Sequence, residues 1–169
     1  IMLLKSIELE NYRPYQGPEK IIFADNDYPN ITIIKGGNDK GKTSLLNAFT
    51  WCLYGQEYYR SKKNKGKQEP IYNKSATQKL DIGESLEVNV TIVMEDDEGR
   101  TVEFNRSQEF TKQGNFRCAP KTNANLTIVR KENDEEEIIT ITNTYIDNHL
   151  PEDLREYYLF DGEQLVDFF

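Results

Sequence analysis

Between Leu86 and Met94 the chain alternates strictly, with Leu86, Val88, Val90, Ile92 and Met94 on one side and Glu87, Asn89 and Thr91 on the other. That pattern predicts a strand buried on one face. Glu95-Asp96-Asp97-Glu98-Gly99 turns it, and Thr101 to Arg106 returns with Val102 and Phe104 inward, which makes an antiparallel hairpin. Leu126 to Arg130 and Glu137 to Thr142 repeat the device around the acidic turn Glu132-Asn133-Asp134-Glu135-Glu136. A largely antiparallel four-stranded meander is therefore expected. Lys112 to Ala124, polar and poorly patterned, reads as a loop between the two hairpins.

Upstream, Met2 to Leu9 alternates through Leu4, Ser6, Ile7 and Leu9, and Lys20 to Ala24 gives a second strand. The β-branched run Ile31-Thr32-Ile33-Ile34 reads as a third, buried one. Pro14 and Gly17 break any regular element between the first two. From about Thr43 to Tyr54 the period becomes helical, with Leu45, Phe49 and Cys52 on one side and Leu46 and Leu53 beside them, and Gly55 is the stop signal. Thr144 to Leu150 again reads as helix. Pro151-Glu152-Asp153-Leu154-Arg155-Glu156 suits a first helical turn, and the apolar run Tyr157-Tyr158-Leu159-Phe160 then leads into Asp161-Gly162-Glu163-Gln164. The sum is a domain of α+β or α/β class.

Charge changes this picture in one place. The formal net charge is −8, from 29 acidic and 21 basic residues, so the chain as a whole is no glove for nucleic acid and any DNA contact must be local. Yet Arg60, Lys62, Lys63, Lys65 and Lys67 fall within eight residues that lack an apolar anchor. A solvated loop and a DNA-backbone patch both fit that stretch. Two cysteines, Cys52 and Cys118, are too few for a metal cage or a disulfide framework, and Cys52 reads as a small core residue. His149 is the only histidine, which argues against His-based triads and zinc chemistry. With neither a secretory leader nor a long apolar run, the expectation is a soluble cytoplasmic chain that contacts no membrane.

The chemistry sits between the third strand and the first helix. Gly36-Gly37-Asn38-Asp39-Lys40-Gly41-Lys42-Thr43 satisfies the phosphate-loop pattern G-x-x-x-x-G-K-[ST]. The glycines let the backbone fold round a phosphate chain with its N–H groups inward, at the positive end of the following helix. In such a loop Lys42 reaches the β- and γ-phosphates and the Thr43 hydroxyl sits on magnesium.

Together these pieces resemble the N-terminal lobe of the SMC/RecF/RecN type of ABC ATPase head, over the length of the chain. Leu4 to Arg13 is similar to that family's first strand and Asn-aromatic-basic turn, and Lys35 to Ala48 to its Walker A loop and helix. The resemblance implies a mixed sheet, a Walker A helix and an inserted antiparallel β-meander. Residues 1–169 would form one lobe, with a mobile basic loop over 60–80, a β subdomain over 86–142, and a Q-loop region over 157–169 leading towards a coiled coil. It implies ATP and magnesium as cofactors, Asn38 beside the γ-phosphate, Arg13 and Ser44 among the nucleotide contacts, and Asp161 at the magnesium-sensing Q-loop position, with Gln164 the alternative. Leu45 to Gly55 and Tyr158 to Glu163 look most like DndD, the ATPase of DNA-phosphorothioation-linked restriction, and its anti-phage relatives. Implied partners are a C-terminal lobe beyond the coiled coil, a second head in a homodimer, DNA, and a nuclease or other defence subunit.

Two departures stand out. Asp39 brings a negative charge into the loop, and Asp161 stands where the family has glutamine. An apolar strand ending in Asp-Glu and an LSGG-type signature are both absent from the sequence. Phosphoryl transfer needs a metal carboxylate and a water-positioning group besides the cradle, so the expectation is an ATP-binding half that does not turn ATP over alone. Two other classes stay open. A self-contained P-loop switch or kinase conflicts with the hairpins. A non-catalytic DNA-binding module would use the lysine stretch on DNA and nucleotide only as structural glue.

Overall fold

The computed structural model describes residues 2–24, 31–37, 41–58, 69–155 and 159. Among these residues seven strands form one sheet: β1 (Leu3–Glu10), β2 (Glu19–Ile22), β3 (Ser85–Glu95), β4 (Thr101–Gly114), β5 (Arg117–Pro120), β6 (Asn125–Glu132) and β7 (Glu135–Ile138). Their order is β2-β1-β3-β4-β6-β7, with β5 paired to the far end of β4. Every pairing among the described residues is antiparallel. The helices are α1 (Lys42–Tyr54), α2 (Lys74–Gln78) and α3 (Thr142–His149), and a 3₁₀ turn follows at Glu152–Leu154.

Register explains the core. Ile7 stands opposite Ile92, Ile92 opposite Phe104, and Phe104 opposite Ile128, so one row of fully buried side chains crosses four strands. Each such side chain contributes roughly 1.5–3 kcal/mol of burial. In β1 the alternation slips at a bulge between Leu4 and Ser6, which is why Ser6 and Ile7 are both buried.

Helix α1 lies on that row. The Cys52 thiol sits 3.4 Å from the Val90 carbonyl and 3.6 Å from that of Phe104, so the helix nearly touches the sheet there. The expected apolar stripe is present in Leu45, Phe49, Cys52 and Leu53, but Asn47, Ala48, Thr50 and Trp51 are buried as well. The reason is a second cover on the opposite side. The chain after α1 folds back, with the Tyr58 N–H donating to Asn47 Oδ1 at 3.0 Å, and the Tyr12 ring packs 5.7 Å from Trp51.

The end of α1 is fixed twice. Gly55 takes the left-handed conformation (φ 77°) and its N–H donates to the Trp51 carbonyl at 2.8 Å. From β4, Arg106 Nε donates to the Cys52 carbonyl at 2.8 Å, setting a positive charge on the negative helix pole. A Cβ at Gly55 would lie 3.3 Å from that guanidinium, so glycine is needed both for its φ and for space.

Three expectations are corrected. Ile31 to Ile34 is not a buried strand: residues 31–37 have no regular structure, and Ile31 and Ile33 are 72% and 73% exposed. An apolar run becomes a strand only when a neighbour takes its backbone groups, and among the described residues the β1–β2 edge of the sheet offers only Ala24 N–H to the Thr32 hydroxyl, at 2.7 Å. Lys112 to Ala124 is not a loop throughout, because β4 runs on to Gly114 and forms a hairpin with β5. The signal was hidden because inward positions of β4 include cations. Lys112 is buried yet donates to the Leu80 carbonyl at 2.5 Å, so its charge hides a core position. The second acidic turn is also tighter than expected. Asn133 and Asp134 alone make it, both at positive φ, and the returning strand β7 is Glu135–Ile138 rather than Glu137 to Thr142.

Candidate phosphate-binding site

The helix start carries the features an anion site requires. Gly41 is the N-cap of α1, in the left-handed region at φ 90° and ψ 2°, and its carbonyl accepts the Leu45 N–H at 2.8 Å. No side chain caps this end and no acidic residue lies in its first turn. Among the described residues, therefore, no cap or first-turn carboxylate neutralises the positive pole of the helix. Lys42 is exposed, and its ammonium donates to the carbonyls of Gly36 and Gly37, the latter at 2.8 Å. The lysine thus closes back over the loop that precedes the helix. Thr43 is exposed on the same turn, with Ser44 half-buried next to it. These residues fit a phosphate chain and a hydrated divalent cation: amide donors, an exposed ammonium and a hydroxyl meet at the helix start, where the described first turn carries no carboxylate.

A second loop braces the first. Residues 11–16 form a tight turn with Asn11 and Arg13 at positive φ (53° and 50°), conformations that persist only where neighbours enforce them. The neighbours here are Ile71 and Asn73. Arg13 N–H donates to the Ile71 carbonyl at 2.7 Å, Asn73 N–H to the Asn11 carbonyl at 2.7 Å, and Asn73 Nδ2 to the Arg13 carbonyl at 2.6 Å. Asn73 also caps α2 through Ala76 N–H at 2.8 Å. On its other side the turn sets Pro14 and Tyr15 against Gly41, with the Tyr15 hydroxyl donating to the Gly41 carbonyl at 3.1 Å.

Arg13 itself is placed on carboxylates. Its Nε donates to Glu57 Oε1 at 3.0 Å, Nη2 pairs with Glu57 Oε2, and Nη1 lies 3.6 Å from Glu69. The Tyr12 hydroxyl donates to the same Glu57 carboxylate. The side chains of Arg13 and Glu57 are each 9% exposed, so this is a largely buried bidentate pair. Glu57 and Glu69 flank residues 59–68 in sequence, so one guanidinium reaches a carboxylate on either side of that stretch.

The structure therefore brings together Gly36, Gly37, Gly41, Lys42, Thr43 and Ser44, and sets the Arg13 turn against their edge. Asn38, Asp39 and Lys40 of the loop lie outside the described residues. So do Asp161 and Gln164, and Arg60, Lys62, Lys63, Lys65 and Lys67 of the basic stretch. Residues 69–80, the described part of the segment read as a basic loop, contain α2. Sequence reading passed over Tyr15 and Glu57, whose roles come only from contacts across 26 and 44 positions. The one available signal was the Pro14-Tyr15 pair in a loop too short to be a linker.

Cys52 is fully buried, as a small core residue. Burial in the helix–sheet seam pushes its thiol up to about 12, against the lowering effect of Arg106. Among the described residues no group of three or more His, Cys, Asp or Glu side chains could hold a metal, and no helix is long and apolar enough to cross a membrane.

No curated protein matches the chain. A family model described as an AAA domain matches residues 6–166, which takes in the phosphate loop, the bracing turn and all of the sheet except the first three residues of β1. A match of that extent, over a P-loop helix with an uncapped N-terminus, makes this chain a member of the AAA domain family, P-loop ATPase domains that are used in SMC-like proteins and that generally bind ATP with magnesium.

Proposed function

We propose that the chain is the ATP-binding half of an SMC-like ATPase head that engages DNA. The observation that carries this is the start of α1: an uncapped positive pole, with the Lys42 ammonium already turned over the loop. The amides around Gly41 and Lys42 would hold the α- and β-phosphates, and Lys42 would exchange the Gly36 and Gly37 carbonyls for phosphate oxygens. Thr43 would hold magnesium, with Asp161, or else Gln164, as a second ligand; the cation would supply neutralisation of the phosphate charge. Asn38 and Ser44 would line the same cradle, and Arg13 would contact the nucleotide after exchanging Glu57 for it.

The sequence supplies neither a strand ending in a catalytic carboxylate pair nor a signature loop, so both would come from a C-terminal lobe and a second head. ATP would then join two heads and hydrolysis would release them, which couples nucleotide state to DNA engagement. The likeness of Leu45 to Gly55 and of Tyr158 to Glu163 to DndD favours a cytoplasmic role in DNA surveillance or anti-phage defence, alongside a nuclease or other defence subunit.

Phosphate release under steady-state conditions tests this reading. The pure 169-residue chain is expected to bind magnesium nucleotide without sustained turnover. Steady hydrolysis that disappears in Lys42→Ala would contradict it. The cluster Arg60, Lys62, Lys63, Lys65 and Lys67 supports a second reading, a DNA-binding module indifferent to ATP; salt-sensitive DNA binding that ignores nucleotide and is lost on neutralising those lysines would favour that one.

A further inference from the structure

We propose that Tyr15 is a positioning residue for the phosphate loop, its hydroxyl holding the Gly41 peptide in the orientation that directs the next backbone N–H groups at a bound phosphate. The inference rests on the nucleotide reading of Gly36 to Thr43. It starts from Gly41, whose left-handed conformation is the point where the loop becomes the helix. Its carbonyl has two lone pairs. One accepts the first helical bond, from Leu45 N–H at 2.8 Å, and the other accepts the Tyr15 hydroxyl at 3.1 Å. A peptide held on both sides of its oxygen cannot flip, so the N–H on its far side, that of Lys42, keeps one direction.

The support for Tyr15 is itself rigid. Its N–H donates to the Tyr12 carbonyl at 2.8 Å, Tyr12 is fully buried against Trp51, and Asn73 and Ile71 clamp the turn from the other side. Packing adds to the hydrogen bond. A Cβ at Gly41 would come within 3.1 Å of both the Pro14 ring and the Tyr15 hydroxyl, so the turn lies directly on the glycine. Burial, with Glu19 nearby, raises the Tyr15 pKa, and the phenol stays a donor at neutral pH. The turn thus does for the loop what a supporting shell does for any site: it removes alternative conformations before the ligand arrives.

Without the hydroxyl, a smaller fraction of molecules would hold the binding-competent peptide, and apparent affinity would fall by that fraction. The test is Tyr15→Phe, which keeps the ring and removes only the donor. Calorimetric titration with magnesium-ADP and with magnesium and the non-hydrolysable ATP analogue AMP-PNP should show both weakened by the same factor, about fivefold. The factor is shared because these amides meet the α- and β-phosphates, which both ligands carry. The unfolding midpoint of the unliganded variant should fall by no more than roughly 2 °C. Unchanged affinity in Tyr15→Phe, with or without a fall in the midpoint, would make Tyr15 a packing residue and overturn the inference. A loss confined to AMP-PNP would overturn it too, by placing Tyr15 at the γ-phosphate. Absence of binding by the unmodified chain would instead overturn the nucleotide reading, a result distinct from either.

Discussion

Lys42→Ala is expected to weaken binding of magnesium nucleotide by about 2–3 kcal/mol, roughly 30- to 150-fold, while leaving the thermal midpoint of the unliganded chain almost unchanged. The first part follows from what the ammonium would exchange. In the free chain it donates to the neutral carbonyls of Gly36 and Gly37 at an exposed position, where such bonds add little. With nucleotide it would meet charged phosphate oxygens, and charge-assisted bonds are about twice as strong as neutral ones. The second part follows from exposure, since Lys42 covers no core residue and surface substitutions of this kind stay within about 0.5 kcal/mol. Titration calorimetry on both chains, with thermal unfolding beside it, checks both parts. A variant that lost stability and affinity together would point to a structural lysine instead.

Glu57→Ala is expected to destabilise the chain by about 3 kcal/mol, because it leaves the Arg13 guanidinium largely buried without its bidentate partner. Glu69, 3.6 Å away but 65% exposed, compensates only in part. Replacing the pair together, by Arg13→Met with Glu57→Leu, should recover part of the loss, since apolar side chains of similar volume escape the desolvation cost while the buried Tyr12 hydroxyl still loses its Glu57 acceptor. Urea unfolding of the single and double variants supplies the cycle. The comparison bears on function as well. If Arg13 leaves Glu57 to reach nucleotide, the double variant should regain stability yet bind weakly, whereas a purely structural pair would leave its affinity intact.

These two residues also show what could be read from the chain and what could not. Strands β3 and β6 and the first half of β4 announced themselves because their inward positions are largely apolar at a period of two, and Gly55 because a helix stop needs left-handed backbone. The phosphate loop was legible for the same kind of reason, since its chemistry demands fixed residue types at fixed spacing. Ile31 to Ile34 misled because hydrophobicity reports only that a segment is able to be buried, and the sheet partner that decides the matter is not written in the segment itself. Lys112 misled in the opposite direction. A buried lysine satisfied by the Leu80 carbonyl looks polar in sequence and interior in space. The grip of Arg13 on Glu57 and of Tyr15 on Gly41 was invisible because the partners are far apart in the chain, and only the packing of α1 against the sheet brings them together.

The central claim is that nucleotide binds at the start of α1, and amide hydrogen exchange of the 169-residue chain locates it directly. On adding magnesium and AMP-PNP, exchange should slow at Gly41 to Leu45 and in the turn at residues 11–16 that braces them, with β6 and β7 unaffected. Exchange at Gly41 to Leu45 left unchanged by saturating nucleotide would contradict the account.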